Sequence, residues 1–323
     1  MMTMRFSLTA ILLTAGVAGA VAGSHAQTTN VVAGRIVSVH CEAHLQKKDK
    51  QADARLNAPR DIALGLSAGD RVQCVGDGYL EVLVFDGTKT VTAKQNPKGF
   101  AIPDLPPDSS NPKEDTIIAK ALVGYGVSGA TRGISTGSRI LWPSEGSAVV
   151  PEHFVVRWAP VPQKIVLSIL SEAKDVTLWG PTEVDGAAES LKSDAVSSAL
   201  AAYKTKPGNT GLVLTLTLGN SSDWEEVHFS LLTGKQEQEL STQLQFWEKH
   251  TDGLALRLGR GYSFTQHKLF AEAAGEYDSA LDTAPESRYL LEDAIQANRL
   301  AGRASRVKAL QIRLASQPQA AVP

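Results

Sequence analysis

Two glycine-rich strings are the first places in the chain where residue type and spacing suggest chemistry. Gly124-Tyr125-Gly126-Val127-Ser128-Gly129 has the spacing of a dinucleotide-binding turn, and the apolar run 117–123 ahead of it could be a strand. Such a turn must open a helix whose free N–H groups hold the pyrophosphate. Ala130-Thr131-Arg132-Gly133 follows instead, a poor helix start. Gly133-Ile134-Ser135-Thr136-Gly137 has the spacing of a nucleophile elbow, which needs a strand before the serine and a helix after it. Pro143 follows within two turns of chain, so no helix is expected there. Neither string is expected to work, and Ser135→Ala and Gly126→Ala are expected to leave activity intact.

His40, Cys41 and His44, with Glu42 between, form a compact metal-ligand set. On a helix, histidines at i and i+4 can share a metal. The stretch before them reads as a strand, where i and i+4 lie ~13 Å apart. Surface histidines beside a disulfide are therefore expected, and no metal, cofactor or catalytic residue is assigned. Trp142, Trp158, Trp179 and Trp224 would make a glycan or peptide platform if exposed together; core and edge packing is expected instead.

The elements that would position these residues fall into three modules behind a leader. Arg5, the uncharged apolar run 6–22, and small Ser24 and Ala26 before Gln27 have the order of a secretory signal peptide. The run is shorter than the ~20 residues of a spanning helix, so cleavage after residue 26 is expected, with no transmembrane segment left. In an oxidising compartment the two cysteines, Cys41 and Cys74, are expected to pair. A formal net charge of −2 over 323 residues supplies no field to attract nucleic acid.

The first module, 31–93, reads as strands, with a charged loop at 46–60 and a hairpin at Asp86-Gly87. Residues 94–138 carry clustered Pro and Gly and read as a linker. The second module, 139–233, alternates with period two, as in Phe154, Val156, Trp158 and again in Leu212, Leu214, Leu216, Leu218; one helix is expected near 191–203. This is the pattern of a β-sandwich. The third, 236–316, has helical periodicity, beginning with Leu240, Leu244 and Trp247. Residues 317–323 read as a disordered tail. The expected class is thus multi-domain: an all-β module, a β-sandwich, and an all-α helical-hairpin repeat, each with its own core.

Three resemblances accompany these patterns. Residues 66–91, LSAGDRVQCVGDGYLEVLVFDGTKTV, resemble the β-domain of FecR-type envelope proteins. The regulators of that family carry a cytoplasmic segment before a membrane helix; few residues precede the apolar run here, so sigma-factor regulation is not expected. The second module is similar to immunoglobulin-like or fibronectin-like sandwiches. Gly261, Phe264, Ala273, Tyr277, Ala280 and Pro285 resemble the packing positions of a tetratricopeptide repeat, with a degenerate second pair at 289–314. Arg257 and Arg260 depart from that pattern, standing where large apolar residues are expected. Arg303, Arg306 and Arg313 flank the last apolar stripe and are candidates to face a partner.

These expectations describe an exported, non-enzymatic protein of the periplasm or cell surface. It would scaffold an envelope protein partner through its helical repeats. The alternative is a glycan- or small-ligand-binding or signalling module acting through the β-domains.

Overall fold

A computed structural model describes residues 31–49, 53–107, 118, 138–205, 210–219 and 223–317. The leader, the two glycine-rich strings with Ser135, and most of the expected tail lie outside the described residues. β-Sheets occupy the N-terminal part and helices dominate the C-terminal part. Six α-helices occur among the described residues.

The first module holds β1 (Val32–Val39), β2 (Glu42–Gln46), β3 (Asp53–Arg55), β4 (Gly65–Ser67), β5 (Arg71–Val75), β6 (Leu80–Val84), β7 (Gly87–Val91) and β8 (Phe100–Ala101). They form two four-stranded sheets, ordered β4-β1-β6-β7 and β3-β2-β5-β8. Side chains such as Ile36, Leu45, Val72, Leu80 and Val84 share one apolar core. The hairpin at Asp86-Gly87 joins β6 to β7, with Val84 opposite Gly87. Two boundaries differ from the sequence reading. Asp53–Arg55 pairs with β2 although its polar residues read as loop. Phe100–Ala101 pairs with β5 and Ile102 is buried, so the module runs past residue 93 into the expected linker. Pro97 and Pro103 flank that short edge strand, where a missing N–H costs no ladder bond.

The second module holds β9 (Ile140–Trp142), β10 (Ala148–Val149), β11 (Val156–Trp158), β12 (Ile165–Ser171), β13 (Thr177–Val184), β14 (Ser190–Leu191), α1 (Asp194–Lys204), β15 (Gly211–Leu218) and β16 (Trp224–Leu231). One sheet is ordered β10-β16-β15-β12-β13 and the other β14-β11-β9. Period-two sequence becomes period-two burial: Ile165, Leu167 and Ile169 of β12 point inward, as do Leu212, Leu214 and Leu216 of β15. The Phe154 and Phe229 rings stack across this core at 5.6 Å.

Five helices follow: α2 (Gly234–His250), α3 (Gly253–Gln266), α4 (Phe270–Thr283), α5 (Arg288–Leu300) and α6 (Ala304–Ser316). Loops of a few residues join them, so successive helices pack as hairpins. Thr233 and Gln236 form a capping box at the start of α2.

The expectation of separate cores is corrected in part. One apolar cluster runs from Leu310 and Leu291 in the helices, through Trp158, Leu167 and Phe229 of the second module, to Val37, Ala63 and Leu83 of the first, while the first module keeps its own cluster around Ile36, Val72 and Leu80. Ile118, from the expected linker, is fully buried in the shared cluster. Modules that share a core this way do not behave as beads on a string. The expected tail is also shortened, because Gln317 Nε2 donates to the Glu286 carbonyl at 2.9 Å.

Candidate functional site

The helical array is where the sequence placed function, and its packing explains the spacing. A Cβ on Gly261 would lie 2.7 Å from Cε1 of Tyr277, so only glycine lets α3 meet that ring. Tyr277, Ala273 and Ala280 are fully buried along α4. Phe264 is half-buried between the main core and a small cluster of Ala148, Leu232, Leu240 and Leu269. Pro285 lies just beyond the end of α4. Gly259 makes a second close contact that the sequence reading missed: its Cβ would lie 2.5 Å from the Trp247 indole. Trp247 Nε1 donates to Ser263 Oγ at 2.9 Å, one turn further along.

The departures at Arg257 and Arg260 have a partner. Glu276 on α4, largely buried, accepts from Arg257 Nη1 at 2.8 Å and forms an ion pair with Arg260, whose Nε lies 2.8 Å from Oε1. Two guanidinium groups on one carboxylate hold the α3–α4 pair where apolar packing was expected. The three arginines expected to face a partner are also engaged inside the protein. Arg303 and Arg306 both pair with Asp278, at 3.5 and 3.0 Å. Arg303 also donates to the Ala271 carbonyl, and Arg313 donates to the Pro285 carbonyl. Their first role is to tie α6 to α4.

The face formed by α3 and α5 is occupied by the chain itself. Arg35 projects from β1 and is 5% exposed. Its Nη1 donates to the Ala63 carbonyl at 2.7 Å and to Asp293 Oδ2 of α5 at 3.2 Å. The guanidinium lies 5.0 Å from the centre of the Tyr262 ring on α3. Burial pushes the Tyr262 and Tyr277 phenols well above their ordinary range, so both stay neutral beside this ion pair. Ser287 caps α5 by accepting from Leu290 N–H, and donates to the Ile62 carbonyl at 2.6 Å. The charged residue inside the apolar run Ile36-Val37 and its neighbours was the available sequence signal for Arg35. Its partner, 258 residues away, had none.

At the end facing the second module, Ala148 N–H donates to the Lys268 carbonyl, and Arg157 Nη1 donates to the Ala301 carbonyl. These bonds place the α3–α4 and α5–α6 loops against that module. His267 in the first of these loops is buried; desolvation holds its imidazole below the ordinary range, with Glu239 of α2 acting the other way.

In the first module Cys41 and Cys74 form a disulfide, with Cα atoms 5.9 Å apart. Asp70, from the Gly-Asp turn, is 2% exposed. Burial opposes its ionisation. The bonds it accepts from Lys47 Nζ at 2.8 Å and from the Ser67 and Lys48 N–H groups outweigh burial, and its pKa falls. The His40 and Tyr79 rings are tilted against each other with centres 4.7 Å apart, and His44 lies near Glu42. No group of three metal-ligating side chains occurs among the described residues. Trp142 and Trp158 are buried, Trp179 is half-buried and Trp224 is 56% exposed, so the four do not form a platform. Among the described residues, no helix is long and apolar enough to cross a membrane. Comparison of the chain with protein-family models, with curated proteins and with solved structures finds no match.

Proposed function

We propose that this chain is an exported, non-enzymatic scaffold of the cell envelope, docking a protein partner through its helical array. In this reading the first module is a FecR-like β-domain, the second an immunoglobulin-like sandwich, and α3–α6 two tetratricopeptide-like hairpins. Supporting the last assignment are the Gly261–Tyr277 contact and the buried small residues Ala273 and Ala280, at the spacing such hairpins use. The observation that carries the reading is the Arg35 socket. The array already grips a folded protein surface in cis, with an acid, an aromatic face and a helix-capping serine. Stacked helices present extended surfaces that bind protein segments.

The test is affinity purification of the full chain from its own envelope fraction. A triple charge reversal of exposed array residues, Lys249→Glu, Lys268→Glu and Lys308→Glu, should lose the co-purifying partner, and Trp224→Ser should keep it. The opposite pattern would favour the ligand-binding alternative, which rests on exposed Trp224 with Lys174 Nζ 5.6 Å from its ring.

A further inference from the structure

With part of the α3–α5 face met by Arg35 of β1 and by the Ile62–Ala63 loop, the C-terminal end of the array is left uncovered. In α5, eight of thirteen residues are buried; in α6, also thirteen residues long, only Leu310 is. Val307 and Leu314 are half-buried beside it. The opposite face of α6 carries Ser305, Lys308, Ala309, Ile312 and Ser316, all exposed, with Ile312 at 63% exposure. In a stacked array each helix covers its predecessor, and a terminal helix normally shows a polar outer face. Here that outer face sets an exposed isoleucine among short side chains and the cation of Lys308. An open depression of about 500 Å³ adjoins its C-terminal end, lined by Arg60, Pro285, Glu286, Arg313, Ser316 and Gln317.

Charge selects the occupant. Arg306, Lys308 and Arg313 give α6 three positive charges and no carboxylate; Asp278 on α4 offsets Arg306, and among the described residues Lys308 and Arg313 have no carboxylate partner. The depression adds Arg60, and Glu286 is the one acid among its lining residues. A second copy of α6 would bring like charges together, which disfavours self-association. A membrane surface fits poorly, because an interfacial helix needs a broad apolar face and this one offers a single large apolar side chain. We propose that the outer face of α6 and the adjoining depression dock an acidic segment of the partner protein, with an apolar side chain of that segment on Ile312. The proposal rests on the docking reading above and names the surface it uses.

The test is a photo-cross-linking amino acid at position 312 of the full exported chain, in its own cells, with a control at position 224. The expected result is a cross-link from 312 to another protein, at a peptide rich in Asp and Glu around an apolar residue. Lys308→Glu should reduce its yield by up to about fivefold, and raised salt should reduce it further. A cross-link to a second copy, to lipid, or to a basic segment would overturn the proposal, as would silence at 312. If 312 is silent while the array charge reversals still abolish co-purification, this surface fails and the docking reading stands. If 312 is silent and only 224 cross-links, both fail.

Discussion

The Arg35–Asp293 pair joins the first and last thirds of the chain, and removing one partner should cost more than removing both. The two side chains are 6% and 8% exposed, with the charged atoms 3.2 Å apart. Asp293→Asn leaves the Arg35 guanidinium buried without its carboxylate, a loss of about 3–5 kcal/mol for pairs this dry. Replacing both partners with apolar residues of similar size, Arg35→Met with Asp293→Leu, removes the buried charge altogether. Such replacements are often neutral or stabilising. The double variant gives up the contact with the Tyr262 ring, worth up to about 2 kcal/mol when desolvated, and its bond to the Ala63 carbonyl, worth about 1 kcal/mol. It should therefore lie within about 3 kcal/mol of wild type and above Asp293→Asn. The assay is urea unfolding of the full chain, followed by circular dichroism and tryptophan fluorescence, in a double-mutant cycle. Because one apolar cluster joins the helices to the second module, which together hold the tryptophans, both probes should shift together. An Asp293→Asn loss below about 1 kcal/mol would show that Arg35 is solvated. A fluorescence transition unmoved while the β-signal shifts would show that the modules are uncoupled.

Three further outcomes follow from the packing and the titrating groups. Gly261→Ala should destabilise the chain in thermal melts, because overpacking against Tyr277 costs about 1–3 kcal/mol and alanine's helix advantage is at most about 1. Replacing Cys41 and Cys74 with serine, which opens a loop of 33 residues, should cost about 3–4 kcal/mol by the urea midpoint, and reductant should then have no further effect. Stability should fall in two stages as pH drops. His267 is held neutral by burial, so its contribution is present above about pH 6.5 and is lost as pH falls through its lowered folded value. Asp70 is held ionised, so its contribution is present above about pH 3.9 and is lost as pH falls further. Asp70→Asn should flatten the second stage alone in urea midpoints measured from pH 7 to 2.

What could be read in the sequence was what repeats locally. The alternation of β12 and β15 and the 3.6-residue stripes of α2 to α6 are properties of neighbouring residues, and they marked the elements. The Gly261, Ala273, Tyr277 spacing was legible because close helix crossing demands small residues at fixed offsets. Asp53–Arg55 and Phe100–Ala101 were not, since edge strands this short are recruited by their neighbours rather than by their own residues. Arg257 and Arg260 broke an apolar pattern, and the carboxylate that makes them tolerable, Glu276, lies on the next helix. Arg303 and Arg306 looked like free cations because Asp278 is also on another helix. The socket for Arg35 depends on a contact across nearly the whole chain, which local pattern cannot reveal.

The proposed docking role of the array is tested most directly by lysine-specific cross-linking of the full chain in intact cells, with peptide-level mapping of every intermolecular link. Links should concentrate at Lys249, Lys268 and Lys308, all exposed on the array. Links concentrated instead at Lys89 of the first module or at Lys164 and Lys174 of the second would contradict that role and move the binding surface to the β-sheets.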